Sequence, residues 1–142
     1  MLRFISDSVS DTEAIAEKLG NKLQSGNVVA YFGGLGMGKT AFTRGLAKGM
    51  GITADVASPT FAIVNDDGGT PPLVHFDMYK VASGDDLYSS GFFDYLDMGA
   101  VLAVEWSENI ENALPDDTIR ITIEKGEGDN QRIITIEGTD EI

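Results

Sequence analysis

The pattern of hydrophobic and polar positions predicts a chain that passes repeatedly between strands and helices. Residues 28–32 and 100–104 are almost entirely apolar, as is typical of parallel strands covered on both faces. A short first strand is predicted over residues 2–6, and residues 61–77 are predicted to form a hairpin with a turn at its centre. Residues 118–137 contain two stretches of alternating apolar and polar side chains, which predict a second antiparallel hairpin with one solvated face.

Three helices are predicted between these strands. The first runs over about residues 10–23, opened by a capping box of Ser10 and Glu13, with apolar residues four positions apart on one face. The second covers about residues 40–48, and a short third helix covers about residues 85–90. We therefore predict one domain over residues 1–142 of the α/β class, with a mostly parallel central sheet, antiparallel hairpin strands and flanking helices.

Composition excludes several kinds of site. The chain has 142 residues with no cysteine and a single histidine, His75, so disulfides, thiolate zinc sites and multi-histidine metal sites are excluded. No secretory signal or long apolar run is present, so we expect a cytoplasmic protein that does not enter a membrane. The net charge of −13 would repel a nucleic-acid backbone, which argues against broad RNA or DNA binding by this chain itself.

The clearest chemical signal lies between the second strand and the second helix. Residues 33–40 read Gly-Gly-Leu-Gly-Met-Gly-Lys-Thr, which fits the phosphate-binding P-loop and predicts an α/β P-loop NTPase fold. Glycines let successive backbone N–H groups turn toward a phosphate chain, and the helix start adds further free N–H groups. The predicted nucleotide-binding residues here are Gly33, Gly34, Leu35, Gly36, Met37, Gly38, Lys39, Thr40 and Ala41.

Two acidic residues are candidates for the second half of this site. Glu105 ends the apolar strand 100–104, and Asp77 ends the strand 73–77, so each is predicted to face a metal ion or the attacking water. Thr60, which follows Ser58-Pro59, is a candidate for sensing the terminal phosphate. The residues that would stabilise transition-state charge remain open among Arg44, Lys80 and Arg132.

The sequence favours ATP over GTP. A guanine-reading Asn-Lys-x-Asp motif is missing, because residues 21–24 depart from it at the last position. The few arginines argue against an arginine-rich lid over an acceptor, so hydrolysis is favoured over transfer to a metabolite. Two alternatives stay open: a nucleotide-sensing module that does not hydrolyse, and a small-molecule kinase.

Four blocks taken together resemble the bacterial TsaE (YjeE) family, the ATPase component of tRNA threonylcarbamoyladenosine biosynthesis. They are the P-loop, Ser58-Pro59-Thr60-Phe61, the block from His75 to Lys80, and Val104-Glu105-Trp106. The Asp-Thr-Glu start of the first helix, residues 11–13, also matches the family. The P-loop motif predicts that Lys39 reaches the β- and γ-phosphates, and the predicted catalytic residues are Lys39, Asp77 and Glu105. The resemblance implies that Thr40 and Glu105 hold Mg²⁺, that Asp77 is catalytic, and that Asp11 and Thr12 contact adenine. It also implies ATP hydrolysis within a complex of TsaB and TsaD proteins that modifies adenosine 37, so that tRNA is reached indirectly.

The chain departs from the family pattern at two positions of the loop. Gly34 stands where the family usually has Asp, and Met37 where it usually has Ala. Phosphate binding depends on the backbone, Lys39 and Thr40, so we expect binding to be kept. We expect the missing acidic residue to affect instead how the first residues of the loop are held in place, and the turnover rate.

Overall fold

The computed structural model describes residues 1–33, 38–52, 65–66, 73–78 and 84–142. The strands are β1 (Leu2–Ser6), β2 (Val28–Phe32), β3 (Asn65–Asp66), β4 (Leu73–Asp77), β5 (Val101–Glu105), β6 (Ile119–Lys125) and β7 (Arg132–Glu137). The helices are α1 (Val9–Gly20), α2 (Lys39–Gly49), α3 (Gly84–Ser89), α4 (Phe92–Asp97) and a 3₁₀ helix (Ser107–Ala113). In these parts of the chain no helix is long and apolar enough to cross a membrane.

The strands form one sheet in the order β1-β7-β6-β2-β5-β4-β3. The four strands β6, β2, β5 and β4 run parallel to one another, whereas β1, β7 and β3 each join antiparallel to a neighbour. This arrangement confirms the predicted α/β class with a parallel centre and antiparallel hairpin strands. The predicted hairpin of residues 118–137 is present, and its first strand also pairs in parallel with β2, which joins it to the central sheet.

The sheet separates two cores, and the alternation of β2 shows why both faces are buried. Val29 and Tyr31 pack with α1 and α2 on one face, while Val28 and Ala30 pack toward α3, α4 and the 3₁₀ helix on the other. Each of these four side chains is at most 1% exposed. A strand covered on both faces needs apolar residues at every position, which explains the continuous apolar run of its sequence.

The start of α1 differs from the predicted capping box. Ser8 is the N-cap rather than Ser10, and its hydroxyl accepts a hydrogen bond from the Asp11 backbone N–H at 3.0 Å. In return, the Asp11 carboxylate accepts from the Asp7 backbone N–H at 3.0 Å. This pair of bonds resembles a capping box two positions earlier, except that the Asp11 carboxylate bonds the N–H of Asp7, which precedes the N-cap, and not that of Ser8.

Two further predictions on the helices need correction. The helix α1 ends at Gly20 rather than near residue 23, because the chain leaves it through a 3₁₀-type bond from Lys22 N to Leu19 O at 2.9 Å. Residues 92–97 form the helix α4, although only an apolar cluster was expected there. In the predicted hairpin 61–77, β3 does pair antiparallel with β4, while residues 61–64 lie outside the described residues.

Candidate functional site

The candidate site lies where β2 leads into α2. Gly33 directly follows β2 with φ of 113°, and Gly38 is the N-cap of α2 with φ of 100°. Both φ angles are positive, and glycine adopts such angles without steric cost because it has no Cβ. The backbone conformation thus explains why glycine stands at both positions. Among the described residues no side chain caps α2, so the N–H groups of its first turn and its positive dipole end can serve an anion.

Lys39, the first residue of α2, directs its ammonium into this site. Its side chain is buried, with the residue only 5% exposed. The Nζ donates a hydrogen bond to the Gly33 carbonyl at 3.2 Å and lies 5.7 Å from the centroid of the Trp106 ring. The Gly33 carbonyl, just after β2, and the Trp106 indole, just after β5, thus both lie near the Lys39 ammonium at the start of α2.

The start of α2 is tied to β2 through a buried hydrogen-bond chain. Thr43 donates its hydroxyl to the Lys39 carbonyl at 2.8 Å, and the Tyr31 hydroxyl lies 2.7 Å from the same threonine oxygen. Because Thr43 gives its proton to the carbonyl, Tyr31 is the donor between the two hydroxyls. Burial raises the pKa of Tyr31 well above its usual value, against the effect of this hydrogen bond, and the charge of Glu105 raises it further. The phenol therefore stays neutral and continues to donate.

The two predicted acidic residues lie side by side at the ends of neighbouring strands. Asp77 of β4 is the register partner of Glu105 of β5, and the Met78 backbone N–H donates to the Glu105 carbonyl at 3.0 Å. The strand β5 also pairs in parallel with β2, which confirms the predicted position of Glu105 beside the P-loop strand. Carboxyl ends of parallel strands share one edge of the sheet, so both backbone positions lie at the edge from which Gly33 leaves β2.

The donor set at this edge suits magnesium better than a softer metal. Thr40 lies half-buried in the first turn of α2, and Glu105 supplies a carboxylate from the adjacent strand. Within the described residues no group of three or more His, Cys, Asp and Glu side chains forms a metal cage. Mg²⁺ needs no such cage, because it usually keeps several waters and takes one or two protein oxygens together with phosphate oxygens.

A cavity of about 380 Å³ opens beside the start of α2. That volume is in the range of sites for small molecules. Three segments of the chain supply its walls: the start of α1, the start of α2 and the loop between β6 and β7. The lining residues are Asp7, Ser8, Val9, Thr12, Gly38, Ala41, Asn130 and Arg132.

The two α1 residues predicted to contact adenine have different surroundings. Thr12 lines the cavity, is 3% exposed, and has its hydroxyl 2.7 Å from the buried Ser6 hydroxyl. Asp11 is exposed, and its carboxylate takes part in the cap of α1 without lining the cavity. The geometry thus brings Thr12, but not the Asp11 side chain, to the cavity wall.

Arg132 is the predicted charge-stabilising candidate that lines the cavity. Its guanidinium donates from Nη1 to the carbonyls of Asp129 and Gln131, both at 2.9 Å. Arg44 lies elsewhere, on the face of α2 that meets α1, where its Nε is 3.0 Å from a Glu13 oxygen. No sequence signal indicated Asn130, because its place at the cavity depends on how the β6–β7 hairpin meets α1.

Several predicted residues lie outside the described part of the chain. They are Gly34, Leu35, Gly36 and Met37 of the loop, together with Thr60 and Lys80. Their predicted roles, including the consequence of Gly34 for turnover, therefore stay predictions.

Comparison with known proteins gives consistent results. A family model described as threonylcarbamoyl adenosine biosynthesis protein TsaE matches residues 6–134. The chain is 38% identical over 135 residues to the tRNA threonylcarbamoyladenosine biosynthesis protein TsaE of Bacillus subtilis, covering 94% of this chain and 84% of that protein. It is 35% identical to the protein of the same name from Treponema pallidum, covering 95% and 99% respectively. The crystal structure of Bacillus subtilis YdiB is similar with a TM-score of 0.76 at 32% identity, covering 95% of this chain and 83% of that one.

Proposed function

This chain belongs to the TsaE family, and we propose that it binds and hydrolyses ATP with Mg²⁺ in the biosynthesis of threonylcarbamoyladenosine at adenosine 37 of tRNA. The observation that carries the proposal is the convergence of Lys39, Gly33 and the Asp77–Glu105 strand ends at the start of α2. The similar proteins are named for the same biosynthesis, which supports this function and offers nothing for a kinase or a purely sensing module.

Each residue has a proposed part in handling the nucleotide. The loop 33–38 and the first turn of α2 bind the phosphates through backbone N–H groups, and Lys39 adds a positive charge. Thr40 and Glu105 hold Mg²⁺, which supplies neutralisation of the phosphate charge. Asp77 orients the attacking water, and Thr60 senses the terminal phosphate.

The cavity is the proposed place of the adenosine part. It begins at Gly38 and Ala41, next to the proposed phosphate site, and extends to Thr12. A base there would lie between α1 and the β6–β7 loop, whose Asn130 offers both a donor and an acceptor. Asp11 would take part through the cap that shapes the cavity edge.

The acidic chain is proposed to act on tRNA through partner proteins. A net charge of −13 disfavours direct contact with a phosphate backbone, so we propose that a TsaB–TsaD-type complex binds the tRNA. Hydrolysis of ATP by this chain would then reset the complex between rounds of modification. Because the complex would modify tRNA, the proposed location is the cytoplasm.

The test is ATP binding by calorimetry and phosphate release, each with and without a TsaB–TsaD complex. We expect phosphate release to depend on the complex, Lys39→Ala to weaken ATP binding at least about tenfold, and Glu105→Ala to lower mainly Mg²⁺-dependent turnover. Lys48→Ala, at the far end of the same helix, is the matched control and should bind ATP as the parent does. Absence of phosphate release under every condition would contradict the proposed hydrolysis.

A further inference from the structure

We propose that Trp106 is a positioning residue for Lys39, holding the lysine ammonium at the phosphate site with the face of its indole ring. The proposal rests on the proposed function, because it gives Trp106 a part in the binding of ATP phosphates through Lys39.

The contact between the two side chains has the geometry of a cation–π interaction. The Lys39 Nζ lies 5.7 Å from the centroid of the indole, inside the distance of about 6 Å over which such attraction acts. Lys39 is only 5% exposed, so water screens this attraction little. Tryptophan is also the aromatic side chain whose face attracts cations most strongly.

This contact leaves the ammonium able to bind phosphate. A lysine ammonium has three N–H donors, and one of them is directed to the Gly33 carbonyl at 3.2 Å. The indole face attracts the charge without fixing the direction of any one N–H bond. Lys39 is therefore held in place with donors remaining for phosphate oxygens.

The backbone of Trp106 supports a role for its side chain. Its φ of 59° and ψ of 40° are left-handed, and among the described residues no other non-glycine residue has a positive φ. This conformation is unfavourable for a bulky residue, and glycine or asparagine would adopt it at lower cost. Strain of this kind persists only where the surrounding structure determines the conformation, and it is found mainly at functional sites. Here the left-handed turn joins the end of β5 to the 3₁₀ helix and sets the indole beside Lys39.

The indole is itself restrained, so it can restrain the lysine. Trp106 is partly buried and packs against the core beneath α3, α4 and the 3₁₀ helix. Its carbonyl accepts a hydrogen bond from the Asn109 backbone N–H at 3.1 Å, which closes the first turn of the 3₁₀ helix. The end of β5 thus offers Glu105 for the metal and, one residue later, a fixed ring for the lysine.

The first experiment compares Trp106→Leu with Trp106→Phe. Both replacements are apolar and smaller than tryptophan, but only phenylalanine keeps an aromatic face. We expect Trp106→Leu to raise the Kd for ATP about three- to tenfold, and Trp106→Phe to stay within about twofold of the parent. A merely structural role would weaken both variants alike, and that result, or parent-like binding by Trp106→Leu, would overturn the proposal.

The second experiment uses Trp106 as the reporter, because it is the only tryptophan in the chain. Without nucleotide, Lys39→Met removes the charge above the ring, so we expect the fluorescence emission to change in wavelength or intensity. Lys48→Met is the matched control on the same helix and should leave the emission unchanged. Equal emission from the parent and Lys39→Met would overturn the contact. This readout needs no ATP, so it decides the inference even if the parent chain fails to bind ATP and the proposed function falls.

Discussion

The two faces of the sheet are covered by helical layers of different construction. The α1–α2 layer consists of two helices of 12 and 11 residues, whereas the opposite layer, here the short-helix layer, consists of α3, α4 and the 3₁₀ helix, of 6, 6 and 7 residues. Both layers cover a fully buried core. The layer with the long helices also holds the start of α2, where Lys39 and the proposed phosphate site lie.

The helices of the α1–α2 layer approach each other at glycines. A Cβ on Gly45 would lie 2.6 Å from the Ala16 Cβ and would also meet the Glu13 carbonyl, and a Cβ on Gly49 would lie 2.9 Å from the Asn21 N. Ion pairs lie across the same contact, with Arg44 3.0 Å from Glu13 and Lys48 3.9 Å from Glu17. Backbone contact of this kind fixes the spacing of the two helices, and with it the cavity between their first turns.

The short-helix layer has an acidic surface. The sequence contains no lysine or arginine between residues 81 and 119, while acidic residues recur through α3, α4 and the 3₁₀ helix. Glu111 is paired with Arg120 of β6 at 3.1 Å. Tyr88 and Met98 are 72% and 71% exposed. The proposed nucleotide end is therefore held mainly by the α1–α2 layer, and Trp106 adds one contact from the opposite side of the sheet.

Truncating one buried leucine in each layer tests this comparison with the largest expected effect. Leu46 of α2 is 0% exposed and Leu87 of α3 is 5% exposed. We expect Leu46→Ala to lower the free energy of unfolding by about 4 kcal/mol and Leu87→Ala by about 2 kcal/mol, because short helices collapse into a cavity more easily. Urea unfolding measures both. Equal losses in the free energy of unfolding would contradict the expectation that the short-helix layer collapses into a cavity more easily than the α1–α2 layer.

Adding one methyl group at a glycine of each layer gives the next effect. Gly45→Ala forces α1 and α2 apart, so we expect a loss of about 3 kcal/mol in the free energy of unfolding. Gly84→Ala is the matched control, because its Cβ would meet no atom of the described residues within 4 Å, and we expect it to stabilise by about 0.5 kcal/mol. Thermal and urea unfolding measure both changes. An unchanged free energy of unfolding in Gly45→Ala would show that α1 and α2 can accommodate a methyl group between their backbones.

Removing the Tyr31 hydroxyl tests the buried hydrogen-bond chain of the α1–α2 side. We expect Tyr31→Phe to cost about 1 kcal/mol at neutral pH, because Thr43 loses a donor. The raised pKa keeps Tyr31 protonated in the folded chain, whereas in the unfolded chain it ionises above about pH 10. The unfolded state then binds fewer protons, so the stability that this group contributes is full below pH ~10 and falls above it.

At alkaline pH the same prediction concerns how steeply the free energy of unfolding falls with pH, in the parent and in the Tyr31→Phe variant. Above pH ~10 the parent should lose up to about 1.4 kcal/mol per pH unit through Tyr31, and the Tyr31→Phe variant should lack this part of the loss. Tyr88→Phe, in the exposed short-helix layer, is the control and should follow the parent. Urea unfolding at several pH values measures the slopes. A parent-like slope in Tyr31→Phe would contradict the buried, neutral phenol.

Sequence patterns predicted those parts of the fold that are determined by residues close together along the chain. The strand β2 and the P-loop start of α2 are recognisable because apolar run, glycines and lysine lie within a few residues of one another. The sequence also predicted that Asp77 and Glu105 each end a strand and face one site, and their roles stay predictions. The pairing of β4 with β5, which makes the two residues register partners, was not predicted.

Features that depend on distant pairing could not be predicted. Nothing local in β6 indicates that it joins β2 in parallel, and the third wall of the cavity, at Asn130 and Arg132, depends on that pairing. The prediction of the N-cap of α1 was wrong for a different reason. Ser8 and Ser10 are both followed three residues later by an acidic residue, so the sequence pattern fits either serine as the N-cap.

Neutralising one surface charge in each layer should give the smallest effects, with opposite signs. Arg44→Gln removes the half-exposed pair with Glu13 and should lower the free energy of unfolding by about 0.5 kcal/mol. Asp97→Asn removes an acid at the C-terminal end of α4, in a region without basic residues, and should raise it by about 0.3 kcal/mol. Both differences should shrink at about 1 M salt, where the Debye length is about 3 Å. If both variants shift stability in the same direction at low salt, the two layers do not differ electrostatically as their sequences indicate.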